Sequence, residues 1–144
     1  MTNKLLENKK IILTGVNGQL GRSAAKILTS HGAKVIGFDV GDSPAPDLSL
    51  EAYRSLDIRN TKQVKIVFQE IFETYSKIDC LVNNAGVSTF DNFEDRSEED
   101  FDWVMDVNLK GTFFCIQNFV NCFDQMNFTD GVILNIASFY GVIS

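Results

Sequence analysis

The sequence predicts an α/β fold, a parallel sheet covered by helices on both faces, on three observations. Short apolar runs alternate with stretches of helical periodicity, the loops between them are short, and each chemically suggestive cluster falls where an apolar run ends. Right-handed crossovers place the helices on both faces of such a sheet, and ligands bind beyond the carboxyl ends of its strands. The 144 residues are one domain's worth of chain, and 44% hydrophobic residues are enough for a packed core.

The first run, Ile11 to Leu13, stops at Thr14-Gly15, and Gly18 and Gly21 follow before an amphipathic pattern begins. Strand, glycine turn and helix in that order present bare backbone N–H groups and a helix N-terminus to a phosphate. The helix carries Leu20, Ala24, Ile27 and Leu28 on one face and ends near His31-Gly32. A second strand, Ala33 to Asp39, closes on an acid, and the stretch from Gly41 to Ser49 with both prolines reads as a loop. Tyr53 to Asp57 is a weak third strand. Asn60 or Thr61 caps a helix with Val64, Phe68, Ile71 and Tyr75 aligned. Ile78 to Val82 is the fourth strand. Ser97, followed by Glu98, Glu99 and Asp100, starts a helix with acid in its first turn. Leu109, Phe113, Ile116, Val120 and Phe123 form the stripe of a further helix, and Gly131 to Ala137 is the fifth strand.

The net charge of −6 disfavours nucleic acid and anionic membrane surfaces as partners. Cys80, Cys115 and Cys122 are an odd number in apolar contexts, which reads as reduced core or helix thiols and not as disulfides or a metal site. The N-terminus has no apolar signal region and no run approaches transmembrane length, so the expectation is a soluble cytoplasmic protein.

Asp39, 24 positions after Gly15, is placed to take both hydroxyls of an adenosine ribose and to repel a 2′-phosphate, which favours NAD over NADP. The bland alternative is a solvated loop acid. Asp57 suits either an adenine edge, with Ile58 covering the ring, or a strand-end turn. Asn83-Asn84-Ala85-Gly86 is either an ordinary turn or a small-residue passage along which a bulky cofactor lies against backbone. Asn108, between two helices, is a cap, a kink filler or an active-site amide holding a water. Ser138 either bonds local backbone or polarises a carbonyl oxygen.

Thr14-Gly15…Gly21, Asn83-Asn84-Ala85-Gly86, Asn108-Leu109-Lys110-Gly111 and Asn135-Ile-Ala-Ser138-Phe-Tyr-Gly141 occur in this order on successive βα units. Together they resemble the short-chain dehydrogenase/reductase family over essentially the whole chain. The resemblance implies a three-layer Rossmann fold with strand order 3-2-1-4-5, continued by further strands. It also implies hydride transfer between a nicotinamide and a small-molecule alcohol or carbonyl substrate. By it, Thr14, Gly15, Asn17, Gly18, Gln19, Leu20, Gly21, Asp39, Asp57, Ile58, Asn83, Asn84, Ala85 and Gly86 belong to the cofactor site. Asn108 and Ser138 would be two members of a catalytic Asn-Ser-Tyr-Lys set, Asn108 holding a proton-relay water and Ser138 orienting the substrate oxygen.

Two features depart from the family pattern. The Thr-Gly-x-x-Gly-x-x-Gly spacing, with Gln19 where the common form has glycine, resembles the extended branch, many of whose members act on nucleotide sugars, and keeps a nucleotide-sugar epimerase or dehydratase as a further alternative. Asn-Asn-Ala-Gly resembles the short branch. The family's Tyr-x-x-x-Lys is absent from residues 1–144; Tyr140 follows Ser138 too closely and has no lysine after it. Val132 to Ala137 has the look of a strand buried on both faces, so the chain reads as the N-terminal portion of a longer oxidoreductase, its Rossmann domain incomplete. A non-catalytic dinucleotide-binding or interaction module is the alternative. The aromatic helix from Thr112 to Phe123 is apolar on more than one face, which leaves Phe114 or Cys122 either to meet a second subunit or to be buried beneath a later part of the fold. The resemblance, to a family whose members often dimerise through this helix, implies a homo-oligomer at full length.

Overall fold

β1 (Lys10–Thr14) and β2 (Lys34–Asp39) are the central strands because their residues are buried on both sides of the sheet. The computed structural model describes residues 4–138. β3 (Ala52–Ser55), β4 (Cys80–Asn83) and β5 (Val132–Asn135) complete one sheet of order β3-β2-β1-β4-β5, parallel throughout. Register pairs Ile12 with Ile36 on one side and with Leu81 on the other.

Alternation along the strands sorts the core into two layers. Ile12, Ile36, Phe38 and Leu81 pack against α2 (Thr61–Tyr75) and α4 (Thr112–Gln125). Ile11, Leu13, Val35 and Val82 pack on the opposite side, with Ala25 of α1 (Gln19–Ser30). This is the three-layer Rossmann arrangement. Strands three and four are each displaced slightly from the spans expected of them, with Leu56 and Asp57 lying just beyond β3.

Asn60 caps α2, its side chain accepting from Gln63 N. Ser97 caps α3 (Glu98–Met105) in a reciprocal capping box with Asp100. α1 departs from the expected face. It lies on the sheet through Gly21 and Ala25, with Ala24 and Leu28 half-buried, while Leu20 and Ile27 are exposed. Small side chains let the helix axis approach the strands, so the contact stripe is set by size and not by hydrophobicity.

α4 departs as well. Its buried face is Cys115, Asn118, Phe119 and Cys122; Leu109, Phe113 and Val120 are exposed, with Ile116 and Phe123 only partly covered. Leu109 itself falls in a π-helical turn at Asp106–Gly111, whose wider loop breaks the phase between α3 and α4, and within α4 the buried positions lie one step round from the expected stripe. Cys122 therefore belongs to the core and not to a subunit contact, and Phe114 is half-buried.

β5 differs again: Val132 to Asn135 are all exposed rather than covered on both faces, the strand being bonded to β4 on one side at the end of the described sheet. Phe139 to Ser144, Tyr140 among them, lie outside the described residues. No helix among the described residues is long and apolar enough to cross a membrane.

All three cysteines are free thiols. Burial pushes the Cys115 thiol up to about 12, and burial aided by the Asp79 charge pushes Cys80 up to about 11. A thiol reacts as its thiolate, so Cys115 is expected to resist alkylation in the folded chain and to react only on unfolding. Timed alkylation read by mass spectrometry checks this; labelling of Cys115 at the rate of an unfolded peptide would contradict the placement.

Candidate functional site

The carboxyl ends of β1, β2 and β4, with the segment after β3, open onto one cleft of about 680 Å³. Its floor is the turn from β1 into α1. Gly15 has φ +67°, and a Cβ there would come within 2.7 Å of Ala85 Cα, so turn and β4 loop touch backbone to backbone. A Cβ on Gly21 would fall 2.0 Å from the Gly15 carbonyl oxygen, which is how closely α1 folds back on the turn. Gly18 is the N-cap, without a capping side chain, and the first turn of α1 contains no acid. The leading N–H groups of α1 are thus left for an acceptor outside the helix, at the positive end of its dipole.

Thr14 rivets this floor to β4. Its Oγ1 accepts from Asn84 N and Ala85 N, each at 3.0 Å, while Asn84 Nδ2 donates to the carbonyls of Thr14 at 3.0 Å and Gly15 at 3.1 Å. Thr14 and Asn83 are both buried behind the cleft wall and do not line it. Asn83 Nδ2 donates to Asn135 Oδ1 at 2.8 Å, tying β4 to β5.

Asp39 lies on the wall at the end of β2, its Oδ2 accepting from Asn17 N at 2.9 Å. Asn17 lines the cleft floor, and its side chain reaches the 41–45 loop, donating to Ser43 O at 3.0 Å and Tyr53 Oη at 3.3 Å and accepting from Ala45 N at 2.8 Å. Asp57 and Ile58 form the next part of the wall. Arg59 grips Asp57 through Nε at 3.0 Å, Nη2 at 2.6 Å and its own backbone N at 2.9 Å. That guanidinium holds the Asp57 carboxyl below the usual carboxylate range. The contribution of the pair is present above that range and fades as pH falls through the lowered value.

Of the expected residues, Gly15, Asn17, Gly18, Gln19, Leu20 and Gly21 line the cleft together with Asp39, Asp57, Ile58, Asn84, Ala85 and Gly86. Asn108 and Ser138 are not on its wall. Ser138 is exposed beyond the carboxyl end of β5. Asn108 sits inside the π-helical turn, where its Oδ1 accepts from Val87 N at 2.8 Å and its Nδ2 donates to Val87 O at 2.9 Å. The amide therefore pins the loop after β4. Asn108→Ala is expected to loosen that loop at a cost of about 1 kcal/mol, since the bonds are exposed. Faster hydrogen exchange at the Val87 amide checks it, and unchanged exchange would contradict it.

Sequence reasoning missed Phe38, Val40, Leu56, Arg59, Val87, Trp103 and Val107 on the wall. Val40 and Arg59 adjoin residues that were singled out. Trp103 and Val107, four apart, come from α3 and the π-helical turn and carry no motif that would have marked them.

Residues 9–144 match the sequence model of the short chain dehydrogenase family. An uncharacterized oxidoreductase of Thermotoga maritima is 32% identical over 95% of this chain and 56% of that protein. The 3-oxoacyl-[acyl-carrier-protein] reductase FabG of the same organism is 31% identical over 95% of this chain and 58% of that protein. Among solved structures, a short chain dehydrogenase of Leptospira borgpetersenii with bound NAD+ superposes with a TM-score of 0.88 at 35% identity, covering 96% of this chain and 54% of that one. The chain thus spans about half the length of the relatives it matches. With its sheet order, its glycine turn and these relatives all in agreement, this chain belongs to the short-chain dehydrogenase family.

Proposed function

We propose that residues 1–144 are the dinucleotide-binding part of an NAD-dependent oxidoreductase that moves hydride between a nicotinamide and an alcohol or carbonyl substrate. The observation that carries this reading is the cleft itself, where an uncapped helix N-terminus and the Asp39 carboxylate face one space large enough for a dinucleotide. A side chain at Gly15 or Gly21 would collide with backbone, so the turn is built to stay bare. That geometry fits the group the family uses. Gln19 and Leu20 would present N–H groups to the pyrophosphate, while the Gly18 N–H closes the turn on the Gly15 carbonyl at 3.1 Å. Asp39 would take the adenosine ribose hydroxyls, Asp57 and Ile58 the adenine, and Ala85 and Gly86 would let the chain of the cofactor pass against backbone. Bound there, the nicotinamide supplies the hydride acceptor or donor. Asn108 and Ser138 take the water-holding and substrate-orienting roles on the family resemblance.

Asp39→Ala tests the assignment. Charge-assisted hydrogen bonds to the ribose are worth about 2 kcal/mol, so NAD+ affinity should fall roughly thirtyfold. NADP+ affinity should hold or rise, because a carboxylate no longer faces the 2′-phosphate. An unchanged NAD+ affinity would place the ribose elsewhere. Turnover by this chain alone is expected to be absent: residues 1–144 contain no Tyr-x-x-x-Lys, and among the described residues no tyrosine lines the cleft as a proton donor. NADH formation with a broad panel of alcohols would overturn that expectation. The whole protein is read as a homo-oligomer, with the outward Phe113 and Val120 side of α4 as the contact.

A further inference from the structure

The loop after β2 is held by a side chain from the glycine turn and a phenol from β3. Tyr53 Oη donates to the Gly41 carbonyl at 2.5 Å and accepts from Asn17 Nδ2 at 3.3 Å. The same Asn17 amide donates to Ser43 O at 3.0 Å and accepts from Ala45 N at 2.8 Å. Asn17 therefore joins the Asp39 carboxylate to the loop behind it: Asn17 N fixes Asp39 Oδ2 from the floor, and Asn17 Oδ1 and Nδ2 fix the 41–45 loop, which follows the cleft-lining Asp39 and Val40 and does not itself line the cleft. A Cβ on Gly41 would lie 3.2 Å from Asn17 Nδ2 and 3.5 Å from Tyr53 Oη, so the loop backbone is seated on this pair. The ring of Tyr53 packs on the apolar layer beneath α1, which separates its packing from the work of its hydroxyl. Burial and the neighbouring charges of Asp39 and Asp42 push the Tyr53 phenol further above its ordinary value, in keeping with its role as a donor to Gly41.

We propose that Tyr53, acting through Asn17 and the Gly41 carbonyl, is a positioning residue that sets the discrimination between a free ribose 2′-hydroxyl and a 2′-phosphate. The latch keeps the 41–45 loop against the glycine turn and the Asp39 carboxylate aimed into the cleft. A free 2′-hydroxyl meets an acceptor already in place. A 2′-phosphate meets the carboxylate, and Asp39 and Val40 cannot retreat because the loop behind them is held by the Tyr53 and Asn17 bonds. Asp39 supplies the charge, and the latch stops the loop from yielding. This rests on the reading of the cleft as a dinucleotide site.

The test is titration of the unaltered 144-residue chain and of Tyr53→Phe with NAD+ and NADP+, followed by calorimetry. Tyr53→Phe keeps the ring in its packed place and removes the hydroxyl. The expected result is a five- to tenfold fall in the NAD+ to NADP+ affinity ratio, from weaker NAD+ binding and stronger NADP+ binding. Asn17→Ser, which shortens the amide, is the second variant and should lower the ratio in the same direction. Equal weakening of both dinucleotides, or an unchanged ratio in either folded variant, would overturn the proposal and leave Tyr53 a scaffold residue. Failure of the unaltered chain to bind either dinucleotide would instead overturn the dinucleotide reading, which keeps the two failures distinct.

Discussion

Gly21→Ala is expected to abolish nucleotide binding and to cost about 3 kcal/mol of stability, the upper part of the range for forcing atoms into a packed site. The added methyl group would sit 2.0 Å from the Gly15 carbonyl oxygen and 2.9 Å from Val16 Cα, and both obstacles are backbone. No rotamer relieves it; α1 must move off the turn. Two consequences follow from one displacement. The Gln19 and Leu20 N–H groups lose their aim into the cleft, and Gly15, already in backbone contact with Ala85, cannot absorb the shift. Thermal unfolding and NAD+ titration on the same preparation check both. A variant that melts with the parent and binds NAD+ equally would show that the turn is not the close contact described.

Phe72→Ala is expected to destabilise the chain by about 4 kcal/mol, in the range for truncating a buried phenylalanine. Phe72 is 1% exposed and meets Phe119 edge-on at 5.6 Å and Phe123 at 6.4 Å. Phe123 in turn stacks on Phe119 at 5.4 Å and meets Phe128 at 5.3 Å. This aromatic chain is what fastens α2 to α4, and α4 continues directly from the π-helical turn that carries Asn108. The loss should therefore reach the cleft: Val87, held by Asn108, should exchange its amide proton faster than β1 does. Denaturant unfolding gives the magnitude, and a loss below about 1.5 kcal/mol would mean the ring fills no essential space.

The sheet order and the cleft floor were legible because glycines, short apolar runs and strand-end acids mark backbone requirements that few residues satisfy. Gly15 and Gly21 are bare for reasons of contact, and Asp39 stands where β2 ends. Helix faces were less legible. α1 buries Gly21 and Ala25, which a search for large apolar residues passes over, while Leu109 falls in the π-helical turn and Phe113 and Val120 of α4 face outward. The double role of Asn17 was hidden for another reason. Its backbone belongs to the motif, but its side chain answers to Tyr53, 36 residues away, and nothing local in the sequence announces that pairing.

The most direct test is calorimetric titration of the 144-residue chain with NAD+ and with NADP+ under one buffer. The cleft geometry predicts one site for NAD+ and affinity for NADP+ at least tenfold weaker, a difference of about 1.4 kcal/mol. Absence of NAD+ binding by the folded chain, or tighter binding of NADP+, would contradict the account.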